Sequence, residues 1–246
     1  MKALLSLTLF GVVACYSLEA RADTVVVNAT YSGWYMSGGT NNADHSGGHI
    51  TGPGRYNYAV GRTGPSEVLR NYFVFDLSNV RGLDTLTGAQ LRVFSLASSL
   101  PAFGTGYGST DFQETYAVYD VSTIPGSLGT ARGVAIYNDL GSGTLFGSVT
   151  VTRQSSNATM VVIDLTPAAL AAIQLHGGFF AFGGAVTTLD PSRSIAEFLF
   201  GGSQNEPVEL VLTGPGVETV PEPATLLLLA TGLAGVAAAR RRRRAG

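Results

Sequence analysis

Between residues 24 and 213 the chain is divided into short runs of β-branched and aromatic residues by Gly, Pro, Ser, Asn and Asp. That punctuation constrains the fold more than any other feature. Nine runs read as strands: residues 24–28 (TVVVN), 70–76 (RNYFVFD), 90–96 (QLRVFSL), 115–121 (TYAVYDV), 148–152 (SVTVT), 160–165 (MVVIDL), 178–186 (GFFAFGGAV), 195–200 (IAEFLF) and 208–213 (VELVLT). Each is strand-length, and turn-forming residues bound it. The imperfect alternation of residues 208–213 predicts a strand buried on more than one side. One helix stands out. Thr166 is its N-cap, Pro167 its first residue, residues 168–175 favour helix, and Gly177 supplies the C′ stop. His176 lies at the helix end, where the dipole favours a cation, and reads as a cap rather than a catalytic group.

The two ends have a different character. Lys2, the apolar residues 3–13 and Ala20-Arg21-Ala22 before Asp23 read as a secretory signal peptide over residues 1–22. A competing reading takes Val12-Val13-Ala14-Cys15 as a lipobox with Cys15 lipidated. At the other end, Pro221-Glu222-Pro223 is followed by an uncharged apolar stretch, residues 224–239, and then by Arg240, Arg241, Arg242, Arg243 and Arg244. The prolines hold the backbone extended, the apolar stretch can enter a bilayer as a helix, and the arginines stop translocation on the cytoplasmic side. At about 1.5 Å per residue that helix reaches about 24 Å, short of the ~30 Å hydrocarbon core. A short single-pass anchor and a temporary hold both fit. Both ends place residues 23–219 outside the cytoplasmic membrane.

Residues 220–246 closely resemble the PEP-CTERM sorting signal of Gram-negative bacteria, also catalogued as the ice-binding protein C-terminal domain. The resemblance implies an exosortase, a membrane peptidase that cuts near Pro221-Glu222-Pro223 and releases or re-anchors the body at the cell surface or in the extracellular matrix. It speaks for the tail alone. An ice-binding body would need flat Thr-x-Thr arrays on successive strands, and Thr150-Val151-Thr152 stands by itself.

Residues 23–219 carry eight arginines, no lysine and fifteen Asp plus Glu, a formal charge of −7. Such a surface disfavours nucleic acid and anionic lipid as partners. With the signal removed there is no cysteine, so stability must come from burial in one sizeable core. Asp76, Asp120 and Asp164 recur forty-four residues apart in Phe-Asp-Leu-Ser, Tyr-Asp-Val-Ser and Ile-Asp-Leu-Thr. A repeat array is one reading. The simpler one is that each ends a strand, with Ser78, Ser122 and Thr166 as caps. The segments RNYFVFDLS and LTGAQLRVF also resemble the opening of DNRLRE-type jelly-roll domains. That resemblance implies a two-sheet antiparallel β-sandwich, a fold whose relatives often bind polysaccharide.

No catalytic signature is present: no Gly-x-Ser-x-Gly, no His-Glu-x-x-His and no phosphate loop. The loop of residues 41–49 holds Asp44, His45 and His49, but Gly47 and Gly48 work against the helix that would align the imidazoles, so it reads as a polar loop. Tyr31, Trp34, Tyr35, Tyr56 and Tyr58 sit in Gly/Ser/Asn-rich sequence. They read either as a sugar-stacking platform or, with Trp34 foremost, as core.

The resulting expectation is an all-β, jelly-roll-like sandwich over residues 23–213 with one short helix, a linker at 214–219, and the sorting signal at 220–246. It is expected to be a non-enzymatic structural or matrix protein without metal or cofactor, exported and sorted to the surface. A carbohydrate-binding module is the alternative, and a hydrolase with an unidentified site comes third. The expected partners are an exosortase-type peptidase, the membrane through the C-terminal helix, and exopolysaccharide.

Overall fold

The computed structural model describes residues 22–42, 57–65, 67–97, 106–192, 195–201 and 206–220. The signal peptide with Cys15, Tyr56, the residues Asp44, His45 and His49, and the tail beyond Val220 lie outside the described residues. Among those described, no helix is long and apolar enough to cross a membrane.

The fold is mostly β, antiparallel throughout, with few helices and a curled half-barrel among its sheets. The smaller main sheet has the order β1 (Ala22–Asn28), β12 (Val208–Pro215), β6 (Gly88–Ser95), β9 (Thr159–Asp164). The larger runs β11 (Glu197–Leu199), β3 (Val60–Arg62), β4 (Val68–Asp76), β10 (Phe179–Val186), β7 (Gln113–Asp120), β8 (Leu145–Thr152), and β2 (Tyr31–Met36) also pairs with β4. A short pair joins β5 (Val80–Arg81) to β13 (Glu218–Thr219). All nine strands expected from the sequence are present.

The two main sheets meet at both margins. Where β1 passes into β2, the Ala29 N–H donates to Val208 O in one sheet and the Thr30 N–H to Val74 O in the other. Where β9 ends, the Leu165 N–H donates to Ala89 O and the Thr166 N–H to Phe146 O on β8. At these two junctions consecutive backbone N–H groups thus bond to different sheets.

Burial explains the composition of each strand. β6 alternates cleanly, with Ala89, Leu91, Val93 and Ser95 inward and Gly88, Gln90, Arg92 and Phe94 outward. β4 and β10 are covered on both faces. Phe73, Phe75, Phe180 and Phe182 enter the core shared with the smaller sheet, while Tyr72, Val74 and Ala181 enter a second cluster with Leu128, Tyr137 and Leu140. The second cluster lies under the β7–β8 connection, which carries helix α1 (Val134–Asp139). Continuous apolar runs such as YFVF and FFAF are what such doubly covered strands require. β12 agrees with its imperfect alternation, because Val211 on its outward face is buried too.

Helix α2 (Pro167–Gln174) starts as expected, with the Ala169 N–H donating to Thr166 Oγ1 at 3.4 Å. Its end differs from expectation. Gly177 is absent from the residues of positive φ; the last turn closes through Leu175 N–H to Ala172 O and His176 N–H to Ile173 O. His176 Nδ1 then lies 2.8 Å from Ala172 O, so the imidazole itself caps the helix. Asp76, Asp120 and Asp164 end β4, β7 and β9, three strands split between two sheets. The recurrence marks strand ends and not an array: Asp76 Oδ1 accepts from the Ser78 N–H, and Thr166 caps α2.

Candidate functional site

Strand pleating decides where the N-terminal aromatics go. Trp34 and Tyr35 are neighbours on β2, so they point to opposite faces. Trp34 is 9 % exposed and packs with Met36, Ala59 and Leu69. Tyr35 is fully buried against Tyr72; its hydroxyl donates to Ala131 O (2.9 Å) and accepts from the Gly129 N–H (3.1 Å). Tyr58 is also fully buried, with its hydroxyl on Phe94 O (2.9 Å). Tyr31 is half-buried and stacks on Phe179 with centroids 6.1 Å apart. The structure therefore divides Tyr31 with Tyr35, Trp34, and Tyr58 among three clusters and does not gather them on one exposed face.

The polar loop is tied to the body at its start. Asn42 Oδ1 accepts from the Trp34 N–H (3.2 Å) and its Nδ2 donates to Asn57 O (2.7 Å); Asn41 Nδ2 donates to Ala131 O (3.1 Å). Among the described residues no group of three or more His, Cys, Asp or Glu could hold a metal ion.

Two buried carboxylates escaped the sequence reading. Glu114 on β7 accepts from Ser109 Oγ (2.6 Å) and from the Thr188 hydroxyl. Glu197 on β11 accepts from the Asp190 N–H (3.1 Å), and Arg62 Nη1 stands 3.8 Å from it while donating to Asp190 O. Burial pushes the Glu197 carboxyl up. The Asp190 N–H and Arg62 pull it down without cancelling the rise, to which Glu114 and Asp111 add. Burial, with the charge of Glu114, likewise pushes the Tyr107 hydroxyl up to about 12. Both glutamates are almost wholly shielded, at 1 % and 0 % exposure; Glu197 ties β11 to β3 through Arg62, and Glu114 ties β7 to Ser109 and Thr188. The signal of Glu197 was visible in principle, as a Glu set inside the apolar run IAEFLF.

The outer face of the smaller sheet and α2 enclose an open groove of about 820 Å³. Across its floor Gln90 Nε2 donates to Asp164 Oδ1 (2.8 Å), and Arg92 Nε and Nη2 donate to Gln90 Oε1 (3.3 and 3.0 Å). Thr24, Thr213 and Gln174 add hydroxyls and an amide at its sides. One cation and one anion, bridged by an amide, leave the floor formally neutral and rich in both donors and acceptors. The outward positions of β6 were readable from its alternation. The approach of α2 from elsewhere in the chain was not.

The end of the body gives the clearest geometry. Residues 214–219, expected as a linker, are instead held by the fold. β12 continues through Pro215 with Ala22 opposite, Gly216 turns the chain at φ 72°, and Val217 is buried in the main core. Glu218 and Thr219 then pair with Arg81 and Val80, and the Val220 N–H donates to Asn79 O at 2.7 Å. The turn facing them is also fixed: Thr85 Oγ1 donates to Pro215 O (2.6 Å), and Gly82 (φ 71°) lies so close to Gly216 O that a side chain would collide with it.

No curated protein matches the chain. A family model does match its end, leaving residues 1–218 outside the match. Residues 219–244 carry the PEP-CTERM protein-sorting motif, the mark of an exported protein that an exosortase processes and sorts to the cell surface.

Proposed function

We propose that this protein is a non-enzymatic structural component of the cell surface or the extracellular polysaccharide matrix, built on a jelly-roll-like β-sandwich. The observation that carries the reading is the sorting motif joined without slack to a folded, cysteine-free, acidic body. Its processing enzyme cuts near Pro221-Glu222-Pro223. Mass spectrometry of the mature protein from the native host tests this by fixing both termini. The expected product starts at Asp23 and lacks Arg240–Arg244; an intact C-terminus in wild-type cells with an active exosortase overturns the processing part.

A second reading, a carbohydrate-binding module, draws support from the groove between α2 and the smaller sheet. Its size lies within the range of small-ligand sites, and its neutral row of amide, guanidinium and carboxylate groups suits a neutral polyol. Affinity electrophoresis in gels containing the host's exopolysaccharide tests it. Retardation that Arg92→Ala or Gln90→Ala removes supports binding in the groove, whereas equal mobility with and without polysaccharide leaves the structural role alone.

A further inference from the structure

We propose that the β5–β13 pair is a clasp that holds residues 218–220, at the entry to the sorting motif, against the body, and that its opening gates cleavage by the sorting peptidase. The inference rests on the processing reading above and adds a control element to it.

The motif begins at Thr219, which is inside β13, and the last backbone bond of the body, Val220 N–H to Asn79 O, immediately precedes Pro221. Peptidases commonly take their substrates extended, through the same backbone groups that pair strands. With the clasp closed, the residues preceding Pro221 have one of their edges occupied by β5. Pairing with β5 and pairing with a peptidase along that edge exclude each other.

The clasp is built to open. It is two residues long; Glu218, Thr219 and Arg81 are exposed, and among the described residues no third strand is hydrogen-bonded to the pair. Isolated two-stranded pairs of this size are at the low-stability end of a fold. Its base is fixed, because Val217 is 1 % exposed within the main core. Peeling therefore stops at Val217 and frees residues 218–220, which adds about 10 Å of reach at the extended spacing. Cleavage of a segment that opens and closes quickly tracks the open population, so clasp stability sets the processing rate.

The test uses the full-length protein in a host with its processing peptidase. Thr219 lies opposite Val80, one position from the bonded Val220–Asn79 contact, so it occupies a non-hydrogen-bonded site where a cross-strand disulfide fits. The double variant Val80→Cys/Thr219→Cys is expected to lock the clasp in the oxidising exterior and to slow processing about tenfold or more. Adding a reductant, or carrying either substitution alone, should restore the wild-type rate. Inserting Gly-Ser-Gly-Ser between Val220 and Pro221 of the locked variant should also restore it, which separates locking from misfolding. A disulfide-bonded variant processed at the wild-type rate overturns the clasp while leaving the processing reading intact. A locked variant that stays unprocessed despite the insertion overturns it as well. A wild-type protein that is never processed removes both.

Discussion

Asn71 is the position where a single substitution should be most informative about the core. It lies on β4, fully buried, and its two amide atoms bond in different directions: Oδ1 accepts from Tyr116 Oη on β7 (2.9 Å), and Nδ2 donates to Tyr58 O (3.0 Å). Gly184 on the intervening β10 makes this possible, since a side chain there would collide with both Tyr116 Oη and Asn71 Oδ1. Asn71→Ala strands a hydroxyl and a carbonyl in apolar surroundings. At roughly 1–3 kcal/mol for each unsatisfied buried group, the expected loss is about 3–4 kcal/mol. With a urea m-value of roughly 2 kcal/mol/M, the unfolding midpoint should fall by about 1.5–2 M. Tyr116→Phe strands only Asn71 Oδ1 and should cost about 1–3 kcal/mol. The double variant should cost less than the sum of the two, because each single change already breaks the shared bond. Urea unfolding of the mature protein, followed by tyrosine fluorescence and circular dichroism, measures all three. Strict additivity, or a loss under about 1 kcal/mol for Asn71→Ala, would refute the network.

Three further outcomes follow from the same structure. Trp34→Ala removes a 9 %-exposed indole from contact with Met36, Ala59 and Leu69; it should cost about 3–5 kcal/mol and lower Tm by about 10 °C, and an unchanged Tm in a thermal scan contradicts the core assignment. Tyr107 and Tyr116 both have hydroxyls pushed up by burial, Tyr107 to about 12. Above pH 10 the unfolded chain loses protons that the folded one keeps. Stability is therefore complete below about pH 10 and falls above it by about 1.4 kcal/mol per pH unit for each tyrosine, so the gap between urea midpoints at pH 8 and pH 11 should narrow in Tyr107→Phe and in Tyr116→Phe and narrow further in the double variant. Truncation after residue 206 removes β12 from between β1 and β6 and should yield an unfolded chain, whereas truncation after Val220 should leave a cooperative unfolding transition in circular dichroism.

The strands were legible because their burial is written in period two or in unbroken apolar runs. β6 shows the first pattern and β10 the second. What escaped was set by partners distant in sequence. β2, YSGWYM, has small residues among its aromatics and lacks a β-branched signature; it is a strand because Tyr31–Met36 finds β4 at Val74–Leu69. Helix α1 has no side-chain cap and starts at Gly133 with φ 136°; the cluster it covers around Tyr72 and Val74 holds it in place. Residues 214–219 looked like a linker because Thr-Gly-Pro-Gly is turn-forming. Ala22 and Arg81 are their partners, and no local pattern announces a partner so far away. The aromatic group shows the same limit. Composition brought Trp34, Tyr35 and Tyr58 together, and the pleat of β2 and the burial of Tyr58 in the main core separated them.

Long-range pairing also ties folding to export. β1 bonds to β12 from Ala22↔Pro215 to Asn28↔Glu209, so the first strand of the body completes its ladder only when nearly the last has arrived. β6 likewise lacks one of its two neighbours until β12 arrives. Contacts of such sequence separation form late, because loop closure must precede them. Residues 208–215 lie directly ahead of the sorting motif. The smaller sheet can therefore close only once the chain has been threaded almost to its apolar tail. At that moment β5 captures Glu218 and Thr219 on a body that has just finished folding. In this order of events the clasp closes only on a completed fold: while β12 is unpaired, Val217 has no core to enter and β13 has no fixed register on β5.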